Sequence, residues 1–225
     1  MRMITVKFIP ILVFLFLLIT LENLQAETLF NQDSNWARTY STSTMQLADD
    51  FSLNLDATIT SLSWAGGYSA YGEVDESMVD DFTIRLYSDL NGLPGDLLIS
   101  YSGETTESVS RAIDSSYNLA YPLYLFEFVL PDLFAVEAGE TFWLSVFNDP
   151  TNDGTAEDWA WHKSYGDVNL NANFFPLSDN PVWTVQTDNN QAFTLSGTFN
   201  SVPEPSTFLL LCSGLAGLGF YLRKR

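Results

Sequence analysis

Cysteine is nearly missing from this chain of 225 residues: its one thiol, Cys212, lies in the apolar stretch at the carboxyl end. Residues 27–201 therefore hold neither a disulfide nor a thiol nucleophile, and any fold there must be held by packing. Cations are almost as scarce. From Glu27 to Val202 there are 26 acidic side chains against Arg38, Arg85, Arg111 and Lys163, which leaves a net charge of −22. Such a surface repels nucleic acid and anionic lipid and has no cationic cluster with which to release counterions, so no nucleic acid is expected as a partner. His162 is the only histidine, and neither a Ser elbow nor a Gly-rich phosphate loop accompanies it. Triad-type catalysis and His/Cys metal centres thus lack their parts. No amphipathic helix stands out in the periodicity either, and no internal repeat.

Aromatic side chains are present in quantity: 17 Phe, 10 Tyr and 6 Trp. Their spacing has a period of two. Phe51, Leu53 and Leu55 alternate with polar residues, as do Phe82, Ile84 and Leu86, and Phe193, Leu195 and Phe199; this predicts half-buried strands. In Ala57–Trp64 the inward set starts at Ile59 and ends at Leu62 and Trp64, a slip of one residue that calls for a bulge. The longer apolar runs Tyr121–Leu130 and Thr141–Phe147 predict central strands covered on both sides, with Glu127 at a rim or paired. Turns are expected at Asn91-Gly92, Pro94-Gly95 and Ala138-Gly139-Glu140. About nine strands separated by such turns make an all-β fold, an antiparallel two-sheet sandwich of jelly-roll type.

The two ends carry a different pattern. Arg2 and Lys7 flank a short cationic region, Phe8–Ile19 is nearly all apolar, and Leu24-Gln25-Ala26 precedes a cut at Glu27, which together read as a signal helix, residues 1–26. At the other end Thr207–Leu222 holds no ionisable side chain but Cys212 and Tyr221. Sixteen helical residues reach roughly 24 Å, slightly short of a hydrocarbon layer of ~30 Å. Arg223, Lys224 and Arg225 can extend toward the headgroups to make up the difference, so a single transmembrane helix is expected. Cations held inside and a signal segment threaded outward place residues 27–201 beyond the membrane.

Val202, Pro203, Glu204 and Pro205, then the apolar span, then Arg223-Lys224-Arg225 at the terminus, resemble the tripartite tag of PEP-CTERM proteins, which Gram-negative bacteria that make extracellular polysaccharide export. The resemblance covers residues 202–225. It implies exosortase, a membrane-embedded cysteine transpeptidase, as a partner that removes the hydrophobic tail, with the inner membrane as the anchor before processing and the cell surface or extracellular matrix as the destination after it. The residues suit that role physically. Pro203 and Pro205 lack N–H donors and keep the segment extended, as a protease cleft requires, while Ser206 and Glu204 sit at the amino end of the following helix. Ser213 and Gly217, four apart, allow close approach of another helix.

Within the exported domain the candidate sites are weaker. Asp149, Asn152, Asp153, Glu157 and Asp158 crowd one loop and offer calcium its oxygen ligands, without the EF-hand spacing; no other cofactor is implied. Trp159 and Trp161 share a strand face and, with His162, would stack on and hydrogen-bond a sugar if exposed; the alternative places both indoles in the core. The acid pairs Asp49-Asp50, Asp80-Asp81 and Glu157-Asp158 read as solvated strand starts rather than as a glycosidase couple, since neighbours on a strand point to opposite faces. The expectation is a non-enzymatic surface or matrix protein whose sandwich binds polysaccharide or serves as a structural unit, with a glycan-active enzyme as the alternative.

Overall fold

The computed structural model describes residues 26–42, 44–68, 80–102, 109–113, 123–149, 159–165, 171–176, 182–186 and 190–200, with the single positions 215, 219 and 223. Among the described residues no helix is long and apolar enough to cross a membrane. The signal segment, the motif Val202–Pro205, the terminal apolar run apart from those positions, and Lys224 and Arg225 lie outside them.

Two antiparallel sheets form a sandwich. The first is built on β4 (Ala57–Tyr68), 12 residues long. Two shorter strands abut end to end along one side of it: β13 (Phe193–Phe199) pairs with residues 57–64 and β10 (Trp159–Ser164) with residues 66–68. β1 (Glu27–Gln32) runs outside β13 and β2 (Ser34–Tyr40) outside β10, a single rail broken at Asp33. On the other side of β4 lie β8 (Tyr124–Val136) and then β7 (Ser110–Ile113). The second sheet has the order β12 (Trp183–Gln186), β11 (Asn171–Phe174), β3 (Gln46–Ser52), β9 (Thr141–Asn148), β5 (Phe82–Asp89), β6 (Pro94–Tyr101).

Period-two patterning is what makes these strands face one another. Ile59, Leu62, Trp64, Phe126, Phe128, Phe193 and Leu195 from the first sheet meet Leu47, Phe51, Phe82, Ile84, Leu86, Leu144 and Val146 from the second in one core. Aromatic rings fill its middle: Phe82 lies edge-on to Trp64 and Trp159, each at 5.2 Å, and to Phe126 at 4.9 Å. Edge-to-face pairs place the positive rim of one ring on the negative face of the next, and each adds roughly 0.5–1.5 kcal/mol beyond the area it buries. Gly66 leaves room for this packing, because a Cβ there would stand 2.5 Å from Cζ2 of Trp159.

The slip expected in Ala57–Trp64 is present, with the register of β4 shifting between Ile59 and Ser61 against β8 and opposite Ser196/Gly197 of β13. Asn91 at φ 55° and Gly92 at φ 78° make the turn of the β5–β6 hairpin, and Gly139 at φ 79° makes the next. Other expectations need correction. Leu55 is exposed, since β3 stops at Ser52 and the chain turns before β4. Pro94-Gly95 is no turn: it opens β6, with Pro94 opposite Asp89. The run ending at Leu130 belongs to a strand covered on one side only, for Leu125 and Val129 face outward at 47% and 65% exposure, with Glu127 exposed between them. Among the described residues thirteen strands replace the nine, the short ones falling in stretches without a clear alternating signal.

Candidate functional site

The abutment of β10 and β13 leaves a seam in the first sheet. Phe193 pairs with Trp64 and Trp161 with Gly66, so Ala65 between them has no strand partner on that side, while on the other it pairs with Leu125 of β8. Ala192 closes the gap: it accepts from the Ala65 N–H at 3.3 Å and donates to the His162 carbonyl at 2.7 Å. The outer rail breaks at the same level, at Asp33, whose carbonyl accepts from the Tyr165 N–H at 3.1 Å. A cavity of about 260 Å³ opens at this double break on the outer face of the sheet. Ala65, Leu123, Ala192 and Leu125 form its apolar part, the first three packed as a small buried cluster. Asn31, Gln32, Ser34, Ser63 and Thr194 supply amides and hydroxyls around it, and among the described residues Asp33 is the one ionisable side chain in the lining.

These polar groups are held by one another. Thr194 Oγ1 donates to Asn31 Oδ1 at 2.6 Å, and Asn31 Nδ2 donates to Asp33 Oδ1 at 2.9 Å. Ser34 Oγ stands 3.0 Å from His162 Nδ1. Gln32 reaches inward through the seam into a buried polar cluster. With its amide nitrogen turned to that cluster it donates to the Gln191 carbonyl at 2.8 Å, to Asp49 Oδ2 at 3.1 Å and to Ser164 Oγ at 3.2 Å. Asp49 Oδ2 also accepts from the Gln191 N–H at 2.7 Å.

Asp49 is fully buried, between Leu47 and Phe51 on the inner face of β3. Burial pushes its carboxyl well above the usual carboxylate range; the charge of Asp50 acts in the same direction, and the N–H of Gln191 offsets part of the effect. Asp49 Oδ1 and Asn171 Oδ1 are both buried without a hydrogen-bond partner, and the two residues are paired across β3 and β11. A protonated carboxyl supplies a donor on that row. Sequence reading took Asp49 for a solvated strand start. The correction has a signal in the sequence itself, since an acid at the inward phase between Leu47 and Phe51 has no route to water.

The other candidates are dispersed. Trp159 and Trp161 lie wholly in the core, where Trp161 donates to the Ala192 carbonyl at 2.9 Å, so neither indole offers a stacking face. His162 is buried on the opposite side of β10, where its ring meets the lining residue Ser34. Asp80 accepts from the Tyr68 hydroxyl and pairs with Arg111 at 3.3 Å, while Arg111 also lies over the Tyr124 ring. Of the calcium set, Asp149 is half-buried and its N–H donates to the Asp81 carbonyl at 3.0 Å; Asn152, Asp153, Glu157 and Asp158 lie outside the described residues. The cavity itself had no local signal, because its walls come from strands far apart in the chain.

Residues 201–225 match the PEP-CTERM protein-sorting motif, so the chain is an exosortase substrate, made as an exported, membrane-anchored precursor. Residues 27–202 match the family described as Domain of unknown function (DUF7901), and the chain belongs to that family. No match was found among curated proteins.

Proposed function

We propose that this exosortase-sorted protein is a non-enzymatic component of the cell surface or extracellular matrix, whose sandwich, of jelly-roll type, binds polysaccharide. The observation that carries the binding role is the seam cavity, in which uncharged amide and hydroxyl groups surround an apolar patch. That combination matches the two surfaces of a sugar ring, hydroxyls at the edge and C–H groups on the face. The jelly-roll reading is supported by nested pairing: β2 with β10, β3 with β9 and β4 with β8, closed by the β5–β6 hairpin, with β10 also beside β4 and β9 beside β5.

Glycan hydrolysis is the weaker alternative. It needs two carboxyls facing one cleft, whereas among the described carboxyls Asp33 alone lines the cavity and Asp49 is enclosed beneath it. Release from the membrane is read from the sorting motif, which begins directly after β13. Intact mass of the protein recovered from its host tests that part: loss of everything beyond the Pro-Glu-Pro region supports it, and a retained tail refutes it. A glycan-binding screen tests the other. Silence across the screen leaves a structural unit, and turnover of a polysaccharide overturns the non-enzymatic reading.

A further inference from the structure

Resting on that reading, we propose that the seam cavity takes a single uncharged sugar residue at the end or branch tip of a chain, and that it excludes acidic saccharides. Size sets the first limit. At about 260 Å³ the cavity is smaller than the ~300–1,000 Å³ that holds a drug-sized ligand, so one ring enters and a chain does not lie through it. Its apolar part is aliphatic: Leu125 stands partly exposed over Ala65 and Leu123, while Trp64 and Phe193 point their rings into the core. Among the described residues no exposed indole lines the cavity, so its described lining offers no platform along which successive rings of a chain interior would stack.

Charge sets the second limit. Among the described residues no cation lines the cavity; Asp33 does, in a domain of net charge −22. A uronate, sulfate or phosphate would enter against that field with no cationic group to receive it. A neutral sugar loses nothing to it, and its hydroxyls can donate to Asp33 and to the amide oxygens. The lining is also set before binding. Gln32 is nine-tenths buried and tied to Asp49 and Gln191, and Asn31 is held between Thr194 and Asp33. Fixing these groups beforehand lowers the ordering cost that weak sugar contacts must overcome.

Placement agrees with a chain-end ligand. β13 starts at the cavity with Phe193 and ends at Phe199, beside the sorting motif. Six steps of ~3.3 Å put about 20 Å between the two ends of β13. The mouth thus stands at the end of β13 opposite to the one that leads into the sorting motif.

The test uses the full chain in detergent micelles, titrated with neutral and acidic oligosaccharides and with the neutral ones after enzymatic removal of the terminal residue. The expected result is binding of a neutral oligosaccharide that is lost on trimming, competed by the free terminal monosaccharide, and changed less than about twofold by added salt. Ser63→Phe, which fills the cavity from its outer wall, should weaken it by about tenfold or more. Asn31→Ala, at an exposed position, should weaken it by about threefold or more without loss of the folded spectrum. Preference for acidic saccharides, or binding that survives trimming and both substitutions, overturns the proposal while leaving polysaccharide binding standing. No binding to any saccharide overturns both.

Discussion

The two outer faces of the sandwich follow the same alternating grammar and end differently. On the first sheet, Leu125, Glu127 and Val129 of β8 stand uncovered, Leu125 at the cavity. On the second, the outward row across β5, β9, β3 and β11 is Arg85, Ser145, Ala48 and Ala172, and the short residues at its middle leave a trough. Trp143, Tyr87 and Trp183 fill it, Tyr87 and Trp183 meeting at 5.7 Å although their strands are four places apart. Trp143 is as buried as any core residue, and its Nε1 donates to Asp89 at 2.9 Å. A sheet whose outward aromatics find small neighbours builds a second core; one whose outward residues are aliphatic and isolated stays open and can hold a ligand.

The largest expected effect breaks that contrast directly. Trp143→Ala should cost about 3–5 kcal/mol, the range for emptying a large buried site, although Trp143 belongs to an outer face. A shift in the urea midpoint at unchanged slope measures it, and a cost near 1 kcal/mol would show that the trough is loosely packed. Gly66→Ala comes next. It pushes a methyl into the Trp159 indole from the inner side, and overpacking of this kind typically costs about 1–3 kcal/mol. Thermal melts of the two variants rank the outer trough against the inner core.

What could be read beforehand follows the range of the interactions. The bulge in β4 was legible because Ile59, Leu62 and Trp64 lie within one strand, and the Asn91-Gly92 turn because two adjacent residues meet its dihedral demand. The trough was not, since it joins Tyr87 to Trp183 across the three strands between β5 and β12. The cavity was not either: it exists because β10 and β13 share one side of β4, and no local pattern reports where two strands abut. The apolar run in β8 was misread for the same reason, as hydrophobicity alone does not say whether a second layer lies outside.

Asp49 sharpens the comparison at the point where the open face meets the core. Below about pH 4 folded and unfolded chains both carry the proton. As pH rises past that value the unfolded chain releases it while the buried carboxyl, with its raised pKa, keeps it. Stability therefore falls with rising pH until the folded carboxyl also ionises. Asp49→Asn removes the titration while keeping an acceptor for the Gln191 N–H. It should raise stability at neutral pH and flatten the decline above about pH 4, a smaller change than either packing variant. Unfolding curves at several pH values check it. An unchanged slope would assign the whole pH dependence to repulsion among the surface acids.

The smallest effect on folding is expected at Val129, and it isolates the open face. Its side chain is 65% exposed on β8, two positions beyond Glu127 and away from the cavity lining. Val129→Thr keeps the β-branch that suits a strand and removes little buried area, so the change should stay within about 0.5 kcal/mol. Leu125→Ser, at the cavity, should be nearly as mild for folding yet weaken sugar binding, because it replaces the aliphatic contact for the ring face with a hydroxyl. Stability and binding would then separate on one strand: neither moves at Val129, and binding alone moves at Leu125. If instead both substitutions cost more than about 2 kcal/mol, the outer face of β8 is covered in the folded protein, and the contrast between the two sheets fails.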